Sequence, residues 1–208
     1  DMMILNQALD AITAGRKKEH LPKTKAPAPT WHLSFEDICS LTRTGEEISQ
    51  LLHSLQIKEV TGICQTETLL GQAAGIFADS ILSRQIIGQD LAHREGIKNT
   101  FIPELGIHLL HCRTTAVSHC RCAYLKLDTP FQVPDGYVKG AILLLAPRSD
   151  HMECVEVISR ISMLLVEDPR FLQALQGNDV SEGRVLAEKA LVKYYQNLIT
   201  KRKGDGTL

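Results

Sequence analysis

Between Val138 and Ala146 the chain is almost wholly apolar, with Ala141, Ile142, Leu143, Leu144, Leu145 and Ala146 in an unbroken row. The run is too short to cross a bilayer. It follows the turn residues Pro134, Asp135 and Gly136. A strand with no polar alternation has no face to offer water, so it predicts a central strand buried on both sides. That requirement limits the fold more than any other feature of the chain, and the neighbouring segments are placed around it.

Residues 57–64 alternate loosely and predict a first strand, followed by two helices over 67–77 and 80–94. Residues 101–110 form a second strand region. In 119–127, Cys120, Cys122 and Tyr124 alternate against Arg121, Ala123 and Leu125, which predicts a third strand. Three helices follow the apolar fourth strand. Asp150 caps the first with Glu153 as its capping-box partner, and Cys154, Ile158, Ile161 and Leu165 form its stripe. Pro169 opens the second, which runs through Leu175 and is ended by Gly177. The third runs over 181–199, and residues 201–208, with Lys201, Arg202 and Lys203, read as a disordered tail. The order is β-α-α-β-β-β-α-α-α over residues 59–200, with no internal repeat.

Upstream, residues 3–14 place Ile4, Leu5, Ala8, Leu9 and Ile12 on one helical face, and Gly15 stops it. Residues 1–20 then read as the tail helix of a preceding domain. Residues 21–32 carry Pro22, Pro27 and Pro29 and predict an extended, stiff linker. Residues 33–58 hold a connecting helix that begins at Phe35, capped by Ser34 with Asp37 as its acidic partner. Its apolar face, Phe35, Ile38, Leu41, Ile48, Leu51, Leu52 and Leu55, is expected to pack on the main core in preference to pairing with a partner helix, with Gly45 as a candidate interruption. The opening Asp1-Met2-Met3 suggests a piece of a longer protein.

A net charge of −1 lacks the basic patch of a nucleic-acid surface. There is no apolar signal segment at the start. The six cysteines show no framework-like spacing, which points to a reducing cytosol.

Chemistry concentrates in Gly106-Ile107-His108-Leu109-Leu110-His111-Cys112-Arg113 and, further on, Ser149-Asp150-His151. His111 closes an apolar run and should sit at a strand end. His151 opens a helix, where unpaired N–H groups attract anions. An imidazole facing a helix N-terminus can hold a phosphoryl group with no cofactor and no metal. The alternatives are thinner. His108, His111, Cys112, His119, Cys120 and Cys122 fall close together, but their spacings fit a structural zinc site poorly. Cys120 and Cys122 share one strand face and read as small core hydrophobes. His108 and His111 should point to opposite faces. Cys112 beside His111 reads as a buried thiol, and Asp150 as a cap rather than an acid. No nucleophile elbow, phosphate-binding Gly-rich loop or dinucleotide fingerprint is present.

The element order, Arg94-Glu95-Gly96 at the end of the second helix, and the segment from Gly106 to His111 resemble the mannitol/fructose-type IIA domain of the bacterial phosphotransferase system. The resemblance implies an α+β, three-layer α/β/α sandwich with a mixed sheet. It further implies a phosphoryl acceptor at His111, with His151 and Arg94 in support. Leu110 and His108 depart from the transporter pattern, which has Pro and a small residue there. Residues 109–114, and 141–147 leading into Val157-Ile158-Ser159, are instead similar to the IIA-like domain of mannitol-operon activators. These belong to a family of antiterminators and activators that carry DNA-binding, regulatory, IIB-like and IIA-like domains in series. That resemblance implies a cytoplasmic regulatory domain of a sugar-operon activator, without membrane insertion. Its partners would be HPr or IIA and IIB components and the other domains of the same regulator, with DNA bound only through a domain outside this chain. The rival readings are a IIA subunit of a sugar transporter and a metal-binding interaction module.

Overall fold

The computed structural model describes residues 34–148 and 152–204. The expected tail helix, the Pro-rich linker, Asp150 and His151 lie outside these residues. The described elements are α1 (Phe35–Ser54), β1 (Gln56–Val60), α2 (Thr66–Ala73), α3 (Ile81–Ile97), β2 (Phe101–Ile102), β3 (Ile107–Thr114), β4 (Arg121–Val133), β5 (Gly136–Pro147), α4 (Met152–Glu167), α5 (Pro169–Gln176) and α6 (Val180–Gly204).

The five strands make one mixed sheet in the order β1-β4-β5-β3-β2. β1 runs parallel to β4 and β3 parallel to β5, while the β4–β5 and β2–β3 pairs are antiparallel. β5 lies in the middle, with Ala141 to Leu145 at 0% exposure, as an apolar strand between two helical layers requires. On one face Ile107, Cys122, Tyr124, Ile142 and Leu144 pack with α1, α4, α5 and α6. On the other Leu110, Cys112, Ala123, Leu125, Leu143 and Leu145 pack with α2 and α3. The fold is an α+β sandwich of three layers. α1 belongs to the first of these cores through Leu41, Ile48, Leu51, Leu52 and Leu55. It runs unbroken through Gly45, and its Ser34–Asp37 capping box forms as expected.

Several boundaries differ from the sequence reading. The single strand expected over 101–110 is a hairpin of two strands, so the order gains a fourth consecutive strand. Pro103 offers no N–H for a ladder. The turn closes with the Leu105 and Gly106 N–H groups on the Ile102 carbonyl. Gly106 takes φ +66, a left-handed conformation at which a Cβ would also crowd the Tyr137 carbonyl at 3.1 Å. α2 stops at Ala73, and α3 runs on to Ile97. β4 continues past Leu127 to Val133 through an irregularity between Lys126 and Phe131. The last helix extends beyond Ile199 to Gly204. Pro169 opens α5 and Gly177 closes it, in agreement with the reading of those two residues, and Asp168 adds the cap.

Candidate functional site

β2 is only two residues long, and it pairs with His108 and Ile107. The Leu109 N–H, bonded to the Thr100 carbonyl at 3.1 Å, is the last backbone link on that side. Beyond it the outer edge of β3 is uncovered by any described strand. His111 is therefore not at a strand end, as its place in the apolar run suggested. It is mid-strand, just past the point where pairing stops. The gap leaves room for a cleft of about 320 Å³ between α3 and α4, lined by Asp90, His93, Arg94, His111, Arg113 and Arg148 with Cys112, Ala146, Val155 and Ile158.

The His111 ring is held at both nitrogens. Nδ1 lies 3.0 Å from the Leu109 carbonyl, which can only accept, so Nδ1 carries the proton. Nε2 keeps its lone pair and accepts from the Arg94 Nε–H at 3.2 Å. The structure thus brings Arg94 and His111 together from α3 and β3. Arg94 is in the last turn of its helix, where a cation is favoured by the carbonyl ends. His151 lies outside the described residues. The helix that follows it, α4, sends Val155 and Ile158 to the cleft wall.

A second layer supports the first. The Leu109 carbonyl that fixes His111 also accepts from Thr100 Oγ1 at 2.7 Å. Thr100 Oγ1 lies 3.1 Å from Glu95 Oε2, and Glu95 Oε1 lies 2.9 Å from His108 Nε2. His108 is buried, and its Nδ1 has no hydrogen-bond partner among the described residues. His108 and His111 leave β3 on opposite faces, yet both reach α3, one beneath the helix and one around the open edge.

Sequence reasoning missed Asp90, His93, Arg113 and Arg148. Arg148 pairs with Asp90 at 2.5 Å and reaches the Arg113 carbonyl. Asp90 is one turn before Arg94 on the same helix, a signal that was available. Arg148 joins the site only because β3 and β5 run parallel with Thr114 opposite Pro147, a register no local pattern gives. The guanidinium groups of Arg94, Arg113 and Arg148 against one carboxylate make the cleft cationic, suited to an anionic ligand. Cys112 is no thiolate nucleophile. Burial, with the Asp90 charge, pushes its thiol up to about 12 despite Arg148.

The histidines and cysteines of 108–122 do not gather into a ligand set of their own. The one group of three candidate ligands among the described residues is Glu47, Cys120 and Cys154. Cys122 is fully buried in the core, as a small hydrophobe should be. No described helix is long and apolar enough to cross a membrane.

The family model for the phosphoenolpyruvate-dependent sugar phosphotransferase system, EIIA 2, matches residues 52–186. The nitrogen regulatory protein IIA-Ntr from Neisseria meningitidis is similar in fold, with a TM-score of 0.53 at 21% identity over 65% of this chain and 97% of that one. A Streptococcus mutans structure titled as a PTS IIA (PtxA) gives a TM-score of 0.46 at 15% identity over 73% and 96%. No curated protein matches the chain.

Proposed function

Because the chain belongs to the EIIA 2 family of the phosphoenolpyruvate-dependent sugar phosphotransferase system, we propose that His111 accepts a phosphoryl group on Nε2. The donor is a phosphohistidine carrier such as HPr, or a IIA or IIB component of the system. The observation that carries this reading is the fixed tautomer: Nδ1–H is committed to the Leu109 carbonyl, which leaves Nε2 with the lone pair that attack requires.

The Nε2 lone pair attacks phosphorus as the donor's P–N bond breaks, and the bonding pair returns to the donor nitrogen. No proton moves at His111. The ring gains positive character, which strengthens its Nδ1–H bond to Leu109. The transition state is loose, so the protein's work is positioning and charge stabilisation. Arg94 turns from Nε2 to the incoming oxygens, where its planar fork gives charge-assisted bonds. His151 donates a further hydrogen bond from the residue before α4, where the helix N-terminus favours an anion.

In this reading the chain is the IIA-like regulatory domain of a cytoplasmic sugar-operon activator. The support is residue-level: Leu110, Cys112, Arg113 and Thr114 follow the activator pattern. His108 stands where transporter subunits carry a small residue, and here it fills a buried position against Glu95. The second reading, a transporter IIA subunit, keeps the same acceptor chemistry and differs in the fate of the phosphate. A regulator holds it, whereas a subunit passes it to a IIB domain and on to sugar.

Incubation with phosphoenolpyruvate, enzyme I and HPr, read by intact mass, is expected to add one acid-labile phosphate to the wild type and none to His111→Ala. Full labelling of that variant would move the acceptor elsewhere, with His108 and His119 next in line. Rapid loss of the label to sugar through a IIB domain would favour the transporter reading.

A further inference from the structure

On the far side of the sheet from α3, three residues distant in sequence bring metal-ligating atoms together. Glu47 comes from the middle of α1, Cys120 from just before β4, and Cys154 from the first turn of α4. Their oxygen and sulfur atoms all lie within 4.8 Å of one another, and all three residues are buried. The Glu47 carboxylate is already oriented: Oε2 accepts the Cys120 N–H at 2.7 Å and Oε1 lies 3.1 Å from His119 Nδ1. A small cavity of about 130 Å³ reaches the cluster, lined by Arg43, Glu46, Ser118 and Glu153 beside Glu47 and Cys154.

We propose that Glu47, Cys120 and Cys154 bind a thiophilic divalent cation of the zinc class, which ties α1 to the sheet and to α4. Two sulfurs with one carboxylate suit zinc, whereas calcium and magnesium take oxygen alone. A tetrahedral zinc with Zn–S of about 2.3 Å and Zn–O of about 2.1 Å spaces its ligand atoms roughly 3.5–3.8 Å apart. The three atoms thus close by no more than about 1.3 Å, within reach of side-chain rotation. His119 holds the carboxylate from behind, as outer partners of metal ligands do. Water from the cavity completes the fourth position. Each thiol releases one proton to solvent as its metal–sulfur bond forms, and nothing is oxidised or reduced. The site is independent of phosphorylation at His111. The competing account is simpler: two thiols packed as hydrophobes, with Glu47 capping the first N–H near β4.

Cobalt(II) titration of the full chain, stripped with chelator and kept reduced, separates the two. One equivalent of cobalt should bind and give a thiolate-to-cobalt charge-transfer band with the strong visible bands of a tetrahedral ion, and zinc should displace it. Cys154→Ser should weaken binding at least a hundredfold and Glu47→Gln at least tenfold, while Cys64→Ser changes nothing. A measurement that needs no variant is peptide mapping after alkylation in mild denaturant, where the metal-free chain opens its buried thiols and zinc should slow modification of Cys120 and Cys154 but not of Cys64. A wild type that shows no charge-transfer band overturns the proposal. So does an undiminished band in the Cys120→Ser, Cys154→Ser double variant, or zinc that fails to shield the two thiols.

Discussion

Replacing Arg94 with alanine separates what Arg94 does before phosphoryl transfer from what it does during transfer. At rest its Nε–H bonds the neutral Nε2 of His111 at 3.2 Å. In the proposed transfer that lone pair goes to phosphorus, and the guanidinium faces oxygens carrying about two negative charges. Only the difference between these interactions accelerates the step. The resting bond has one ionised partner and the transfer contact has two; the added charge attraction in an exposed cleft is about 1–1.5 kcal/mol, or about tenfold in rate. A dry site would give as much as 10²–10³ for one donor. This cleft is open, and Arg113 and Arg148 share the charge. The expected loss is therefore about ten- to a hundredfold, with Arg94→Lys intermediate because it keeps the charge and loses the fork. Stability should fall by less than about 1 kcal/mol, the worth of a cation at a helix end. Single-turnover labelling with phosphorylated HPr in excess, quenched in alkali and read by intact mass, measures the rate. An alanine variant within twofold of wild type would show that the guanidinium does not follow the phosphoryl group. A faster variant would show that the resting bond merely occupies the lone pair.

His151→Ala is expected to remain labelled at His111 but about ten- to a thousandfold more slowly; an unchanged rate in the same assay would separate the two histidines. Burial holds the Cys112 and Cys122 thiols at about 12 against an ordinary value of 9.0. The unfolded chain ionises them first, so stability is intact below about pH 9 and falls as pH rises towards 12, by on the order of 1 kcal/mol per thiol near pH 10. Denaturant midpoints taken across that range should fall with pH, and a flat profile would contradict the burial. Gly140→Ala would drive a Cβ into Tyr124 Oη and towards the Leu125 carbonyl in the packed centre of the sheet. It should cost about 1–3 kcal/mol, seen as a thermal midpoint lower by roughly 3–10 °C.

The sequence made the central strand legible because burial on both faces removes every polar alternation, and nothing else in the chain has that composition. Parity was equally readable: Cys120, Cys122 and Tyr124 do face one core and Ala123 and Leu125 the other. Part of what escaped was local. The break between Ile102 and Ile107 carries Pro103, Glu104 and Gly106, a turn signal inside an otherwise apolar stretch. The run from Lys126 to Val133 contains Asp128, Thr129 and Pro130, which look like a turn, yet β4 carries them as an irregularity against β5. For the site, the motif located His111 and its resemblance supplied Arg94. The cationic wall needed the parallel β3–β5 register, which brings Arg148, just past the end of β5 and 35 residues on in sequence, beside Arg113.

The short β2 connects the fold to the chemistry. An uncovered strand edge invites pairing with another chain, and proteins commonly block such edges with charge. Had β2 run the length of β3, the outer edge at His111 would be sealed by backbone, and Arg94 would have no path around the sheet. Because β2 begins only at Phe101, opposite His108, and runs antiparallel back to Ile102 opposite Ile107, β3 is open beyond Leu109, and the opening is lined by Arg94, Arg113 and Arg148. The same cations make the edge a poor template for a further strand and a good receptacle for a phosphoryl group. On this argument the end of α3 at Ile97 matters to function beyond supplying Arg94. The short stretch from there to Phe101 sets where pairing with β3 starts, and with it which β3 residue is the first to face the cleft.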